Sequence, residues 1–221
     1  MDAEEPIRIE TPKGEVSGLW RWPPQAHATV VVAHGAGGDM NTPLMTGFTE
    51  CLNQAAFATL RFNFPYSEQG RKAPDAAPAL LDAYRAAFAV ARSRSKDRHV
   101  LVGGKSMGGR IASMAVADGM PADGLIFLGY PLHPPGRPDR PRDEHLLGIR
   151  VPMLFLQGTR DPFATFDLIQ NLTERLGRWA VLHPVEGGDH SFRVKGEGRD
   201  DFETGRLLGS VAARFIQSAQ V

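Results

Sequence analysis

A serine, an aspartate and a histidine, each placed near glycines, carry the chemistry that this sequence can perform. Ser106 is the central residue of the string GKSMG, Asp161 lies in GTRDP, and His190 follows the glycine pair of EGGDHSF. A serine hydroxyl becomes nucleophilic when a neutral imidazole accepts its proton, and a carboxylate fixes the tautomer of that imidazole. The sequence therefore predicts Ser106 as the nucleophile, His190 as the base and Asp161 as the orienting acid.

The serine is predicted to lie on a sharp turn between a strand and a helix. Residues 100–103 are typical of a buried strand, and Ile111, Met114 and Ala115 follow at helical spacing. A strained turn of this kind exposes the hydroxyl, and glycines must flank it because side chains there would collide with the neighbouring strand and helix.

The residues Gly104-Lys105-Ser106 could instead end a phosphate-binding loop. That motif needs a glycine five positions before Gly104, where this sequence has His99, and residues 100–102 are typical of a strand. We therefore expect no nucleotide site here. Lys105 is interpreted as a side chain that is tolerated beside the nucleophile.

The acid and the base follow two later predicted strands, residues 153–157 and 179–183. Asp161 could alternatively cap the helix that follows it. Asp189, which adjoins His190, could compete for the role of the acid, but neighbours on an extended loop point apart, which favours Asp161. His190 itself could be an ordinary histidine of a surface loop.

In the chain order serine, aspartate, histidine, and in its turn and two loop motifs, the sequence resembles the α/β-hydrolase superfamily, specifically its small dienelactone-hydrolase-like serine hydrolases. The resemblance extends from about residue 28 to the C-terminus. It implies an oxyanion hole formed by the backbone amides of Ala36, in the string HGAGG, and of Met107. Two such amides can supply ~3 kcal/mol each of transition-state stabilisation.

The sequence departs from this family in two respects, which concern the expected substrate and the lid. Many dienelactone hydrolases carry cysteine as the nucleophile, whereas this chain has Ser106, so dienelactone itself is not the expected substrate. Members with a helical lid insert it after the sixth strand, where this chain has only the proline-rich residues 131–150. We therefore expect minimal or no lid and no lid-gated lipase action.

Short β-branched segments alternate with longer segments of helical period, which predicts an α/β fold. We expect the α/β-hydrolase fold, with a mostly parallel twisted sheet of about seven to eight strands and helices on both faces. Residues 63–75 and 131–150 are predicted to be loops over the sheet. The first two strands are expected to form an antiparallel hairpin. The candidate strands are residues 7–10, 15–20, 28–33, 58–63, 100–103, 124–128, 153–157 and 179–183.

The composition favours one soluble domain over residues 1–221. The chain is 42% hydrophobic, and its 25 basic and 25 acidic side chains cancel, so no net field attracts nucleic acid or an anionic membrane. No signal peptide or apolar stretch of about 18 residues is visible, which predicts a cytoplasmic protein. Cys51 is the only cysteine and is expected to be a packed thiol.

No histidine, cysteine or carboxylate group has the spacing of metal ligands, so we expect neither a metal nor another cofactor. The histidines other than His190 are interpreted as structural or solvated: His27, His34, His99, His133, His145 and His183.

The sequence thus predicts a serine hydrolase that cleaves an ester or related acyl bond of a small molecule through an acyl-enzyme. Tyr66 and Phe163, which follow strand ends, are expected to line the substrate pocket. Three arginines of one loop could bind a substrate anion or simply be solvated; they are Arg137, Arg140 and Arg142. A catalytically silent binding or scaffold module of the same fold is the alternative. The choice among ester, thioester, lactone and amide, acyl transfer in place of hydrolysis, and the oligomeric state stay open.

Overall fold

An eight-stranded sheet forms the scaffold of the protein. The structure, a computed structural model, describes residues 4–96 and 98–219. Across the sheet the order is β1-β2-β4-β3-β5-β6-β7-β8. The pairs β1/β2 and β2/β4 are antiparallel, and the remaining pairs are parallel. The strands are β1 Glu5–Ile9, β2 Val16–Arg21, β3 Ala28–Ala33, β4 Ala58–Phe62, β5 His99–Lys105, β6 Gly124–Leu128, β7 Met153–Gly158 and β8 Ala180–Val185.

Helices cover both faces of this sheet. In β3, Val30 and Val32 belong to the core under α1 and α6, whereas Val31 and Ala33 belong to the core under α3, α4 and α5. Successive side chains of a strand point to opposite faces, so one apolar strand supplies both cores. The helices of the described residues are α1 Pro43–Gln54, α2 Pro65–Glu68, α3 Ala77–Arg94, α4 Met107–Ala117, α5 Phe166–Leu176 and α6 Asp201–Ser218.

The predicted fold class is confirmed, and the boundaries differ only locally. The strands predicted at 28–33 and 124–128 have those bounds, and the first two strands form the expected hairpin. The stretch 63–75 is not wholly irregular, because α2 begins at Pro65, a residue that suits the first turn of a helix. Strand β8 continues past residue 183 through Pro184, which is tolerated because β8 is an outer strand.

Within residues 4–96 and 98–219, no lid covers the carboxyl edge of the sheet. Residues 131–150 contain a single five-residue 3₁₀ turn, Glu144–Gly148, as their prolines predict. Among the described helices, none has both the length and the apolar character that crossing a membrane requires. The parallel strands β3, β5, β7 and β8 end at the same edge, so the loops that follow them are brought together there.

Candidate active site

Ser106 lies on a strained turn between β5 and α4. Its backbone has φ 50° and ψ −114°, a conformation that costs an L-residue about 1–3 kcal/mol. The Ser106 N–H donates to the carbonyl of Leu128 at 3.0 Å, and its own carbonyl accepts from the N–H of Arg110 at 3.1 Å. The turn is therefore anchored to both β6 and α4, and it occupies the position that the sequence predicts.

Two glycines make this turn possible. A Cβ atom on Gly104 would lie 2.2 Å from the carbonyl oxygen of Ala33, and one on Gly108 would lie 2.4 Å from the same oxygen. Both distances are far shorter than a van der Waals contact. The end of β5 and the start of α4 can approach β3 this closely only because neither residue has a side chain.

Ser106, His190 and Asp161 form one continuous chain of hydrogen bonds. The Ser106 Oγ and the His190 Nε2 are 2.8 Å apart, and the His190 Nδ1 is 2.7 Å from the Asp161 Oδ2. The ionised carboxylate can only accept, so the imidazole donates from Nδ1 and presents the Nε2 lone pair to the hydroxyl. The hydroxyl therefore donates to the imidazole.

Buried donors fix the carboxylate of Asp161. Its side chain is 0% exposed. The Oδ1 accepts from the Phe163 N–H at 2.8 Å, and the Oδ2 accepts from the Gln157 Nε2 at 2.7 Å. The other end of the Gln157 amide accepts from the Tyr130 N–H at 2.8 Å. No sequence motif points to Gln157, although a lone amide in the apolar strand MLFLQG is a usable signal.

The two aspartates near His190 have different hydrogen-bond partners. The Asp189 Oδ1 accepts from the backbone N–H groups of Ser191 and Arg193, at 2.7 and 3.0 Å, and so holds the histidine loop in its turn. Asp161 is not a helix cap, because α5 begins at Phe166 and its capping position is Thr165. Asp161 is thus the carboxylate that contacts the imidazole.

The loop after β3 packs against the serine turn. A Cβ atom on Gly35 would lie 3.6 Å from the Cβ of Ser106. His34 holds this loop, since its Nε2 accepts from the Phe64 N–H at 3.1 Å and its Nδ1 donates to the Gly35 carbonyl at 2.9 Å. Burial lowers the pKa of His34, which keeps the ring neutral for this pair of bonds. His34 is therefore structural.

Two backbone amides of the serine turn and of the loop after β3 have no acceptor in the described part of the chain. No described residue accepts a hydrogen bond from the N–H of Ala36 or of Met107. Met107 is the first residue of α4, where amides lack intrahelical acceptors and the helix dipole adds positive potential. Both amides are available for an oxygen that acquires negative charge.

Of the two aromatic residues expected at the substrate pocket, Phe163 lies against the His190 imidazole and Tyr66 is buried under the loop after β3. The Phe163 ring is half-buried and packs on the His190 imidazole, with ring centroids 4.3 Å apart. Tyr66 is fully buried, and its hydroxyl donates to the carbonyl of Gly35 at 3.2 Å. The expectation that Tyr66 lines a substrate pocket is corrected accordingly: an enclosed side chain supports the loop above it and presents no surface to a ligand.

Lys105 is more than a tolerated neighbour of the serine. Its stem packs on Gly35, where a Cβ atom would lie 3.4 Å from the Lys105 Cγ, and its ammonium lies 5.8 Å from the centroid of the Phe192 ring. Burial lowers the pKa of Lys105 to about 8, against the attraction of Asp161 and Asp189. The charge of Lys105 therefore interacts with the carboxylates of Asp161 and Asp189 beside the serine.

A mostly parallel sheet with helices on both faces, and a serine on a strand-turn-helix at its carboxyl edge, defines the class of α/β-hydrolase folds. The family model described as an alpha/beta hydrolase domain matches residues 26–219, and the chain belongs to this family. The predicted resemblance is confirmed.

Solved structures share the architecture at low sequence identity. A Xanthomonas campestris protein described as an α/β serine hydrolase without a lid is 18% identical, with a TM-score of 0.77 over 99% of this chain and 95% of that one. A dienelactone hydrolase from Anabaena variabilis is 20% identical, with a TM-score of 0.77 over 98% and 97%. A Pyrococcus furiosus esterase is 16% identical, with a TM-score of 0.75 over 98% and 91%. At these identities the likeness concerns the fold.

Proposed function

We propose that this protein is a serine hydrolase that cleaves an ester or related acyl bond of a small molecule through an acyl-enzyme. One observation carries the proposal: an unbroken hydrogen-bonded chain from the Ser106 hydroxyl through His190 to the buried carboxylate of Asp161, with links of 2.8 and 2.7 Å. The descriptions of similarly folded proteins as esterases and a dienelactone hydrolase support it.

In the first half-reaction the Ser106 Oγ attacks the substrate carbonyl carbon while the His190 Nε2 takes the hydroxyl proton. Asp161 stabilises the imidazolium that forms. The carbonyl electrons move to the oxygen, where the amides of Ala36 and Met107 bind the negative charge. The tetrahedral intermediate then expels the leaving alcohol or thiol, which receives the proton from His190, and the acyl group stays on Ser106.

In the second half-reaction water replaces the leaving group. His190 takes a proton from the water as its oxygen attacks the acyl carbon, and the same amides bind the second oxyanion. Collapse returns the proton to the Ser106 oxygen and releases the carboxylic acid. Each free amide is worth ~3 kcal/mol in the transition state, so the loop after β3 contributes on the scale of the catalytic side chains.

The proposal is tested with chromogenic esters and thioesters of increasing acyl length. We expect turnover by the wild-type chain and a loss of at least about a thousand-fold in kcat for Ser106→Ala and His190→Ala. Ser93→Ala, which changes an exposed serine of α3, is the matched control and should keep wild-type turnover. An inactive wild-type chain across the whole panel, together with a stable protein partner in pull-down, would favour the scaffold alternative.

A further inference from the structure

A second polar cluster lies one helical turn from the nucleophile. A groove of about 420 Å³ is bordered by Arg110 of α4 and by residues 141–145 of the loop that follows β6. The backbone N–H of Arg110 donates to the carbonyl of Ser106, so one residue that borders the groove is hydrogen-bonded to the serine turn. At a rise of about 1.5 Å per residue, the backbone of Arg110 is ~6 Å along the helix from that of Ser106.

Two guanidinium groups share this groove, and neither has a counter-ion in the part of the chain that the structure describes. Arg110 and Arg142 are both half-buried, and no carboxylate of the described residues lies within ion-pair distance of either. Asp143 is engaged by Arg175 at 3.1 Å. Glu144 also borders the groove but is exposed and contacts neither guanidinium.

The electrostatics of Arg110 reflect this arrangement. Its Nε is buried and has no acceptor among the described residues, so part of the guanidinium is desolvated without compensation. Burial is the main cause that lowers the pKa of Arg110; Tyr130 acts in the opposite direction, and the positive charge of Arg142 lowers the pKa further. A bound anion would relieve this repulsion.

The walls of the groove are fixed by hydrogen bonds. The Tyr130 hydroxyl donates to the carbonyl of Arg142 at 2.6 Å, which ties the loop to the end of β6. The His145 Nε2 is 2.8 Å from the hydroxyl of Ser113, one turn beyond Arg110 on α4. Burial, followed by the charge of Arg110, lowers the pKa of His145, so the two arginines supply the positive charge.

We propose that Arg110 and Arg142 form a binding site for an anionic group, a carboxylate or a phosphate. The planar guanidinium matches both groups through paired hydrogen bonds. The anion has two possible sources, the acid group of an acyl substrate bound at Ser106 and a free anion. The first source rests on the proposed function, whereas the second does not.

The binding arm of the test uses glutarate and inorganic phosphate, titrated calorimetrically into the full chain carrying Ser106→Ala. We expect saturable binding that weakens about ten-fold on Arg110→Met or Arg142→Met and also weakens with added salt. Arg140→Met removes an exposed charge from the same loop and should leave the affinity unchanged. If Arg110→Met fails to fold, as judged by circular dichroism, Arg142→Met alone decides.

The kinetic arm compares the mono-4-nitrophenyl ester of glutaric acid with 4-nitrophenyl valerate, which has an acyl chain of the same length and no charge. A ratio of kcat/KM, anionic to neutral, that falls about ten-fold in the Arg110 and Arg142 variants identifies the substrate acid as the ligand. If these variants keep the wild-type ratio of kcat/KM but have lost anion binding, the ligand of the site is a free anion. Absence of saturable binding of both probes, with an unchanged ratio, overturns the site. Because binding is measured on Ser106→Ala, failure of the hydrolase proposal alone leaves the binding arm intact.

Discussion

Gln157 and Asp161 are joined by a buried hydrogen bond of 2.7 Å, from the Gln157 Nε2 to the carboxylate oxygen that also contacts His190. The same amide accepts from the backbone of Tyr130, at the end of the neighbouring strand β6. Gln157 is 0% exposed. The orientation of the acid is therefore set from within the sheet, before the loop that carries Asp161 begins.

Replacing Gln157 should weaken the site without removing any of its reacting groups. Gln157→Leu leaves the Tyr130 N–H without its acceptor and the Asp161 Oδ2 without one donor. We expect a loss of about 1–3 kcal/mol in the free energy of unfolding and a fall of about ten-fold in kcat. Chemical denaturation and ester kinetics measure both, with Gln170→Leu, an exposed position of α5, as the control. If Gln157→Leu kept the kcat of the wild type, the Gln157 amide would have no role in positioning Asp161.

Asp161→Asn should reduce kcat by roughly a hundred- to ten-thousand-fold and lower the free energy of unfolding by about 1–3 kcal/mol, because its NH2 group would face the buried Gln157 Nε2 donor. The asparagine amide can donate to the imidazole, which favours the tautomer that cannot accept the Ser106 proton. The matched variant is Asp189→Asn, which keeps an acceptor oxygen for the histidine loop and should retain kcat within about three-fold. The opposite pattern in steady-state kinetics would transfer the role of the acid to Asp189.

Lys105 should make stability depend on alkaline pH. Burial lowers its pKa from 10.5 to about 8 in the folded chain. Below pH 8 the native state bears the cost of a buried ammonium. Between about 8 and 10.5 the unfolded chain binds the proton that the native chain has released, so the free energy of unfolding rises with pH across this window.

Lys105→Met removes this dependence. We expect the variant to be more stable than the wild type at pH 7, by up to about 3 kcal/mol, with the difference shrinking as the pH approaches 10.5. Urea denaturation at several pH values measures it, and Lys72→Met, at an exposed position, is the control. A constant difference between Lys105→Met and the wild type over this window contradicts the assigned titration.

Gly108→Ala should disrupt the contact between α4 and β3. The added Cβ would lie 2.4 Å from the carbonyl oxygen of Ala33 and 2.7 Å from that of His34, both of them backbone atoms. We expect a loss of about 3 kcal/mol or more in the free energy of unfolding, because relief requires the strand or the following loop to move. Gly148→Ala, where a Cβ meets nothing within 4 Å, should be close to neutral. Equal melting temperatures for the two variants would contradict the packing argument.

The sequence predicted those features that depend on local patterns. Apolar β-branched segments mark strands wherever they occur, so β3 and β6 were predicted at their observed bounds. The glycines around Ser106 specify a turn that few other residues allow. The choice of Asp161 over Asp189 followed from the direction of neighbouring side chains on a loop, and the hydrogen bonds agree with it.

Features that depend on contacts between distant parts of the chain could not be predicted from these local patterns. Gln157 contacts Tyr130 only because β6 and β7 are neighbours in the sheet, and no spacing in the sequence encodes that register. Arg110 and Arg142 are 32 positions apart, so their shared groove becomes visible only when the loop after β6 folds over α4. Tyr66 was misplaced for a related reason, since the loop from β3 covers it.

The proposed hydrolase activity depends on the reactivity of the Ser106 hydroxyl. Incubation of the full chain with a fluorophosphonate probe, followed by peptide mass spectrometry, measures it directly. We expect a single covalent adduct on Ser106, no adduct in Ser106→Ala, and labelling slowed by at least about a hundred-fold in His190→Ala. Equal labelling of the wild type and Ser106→Ala, or an adduct on another serine, would contradict this expectation.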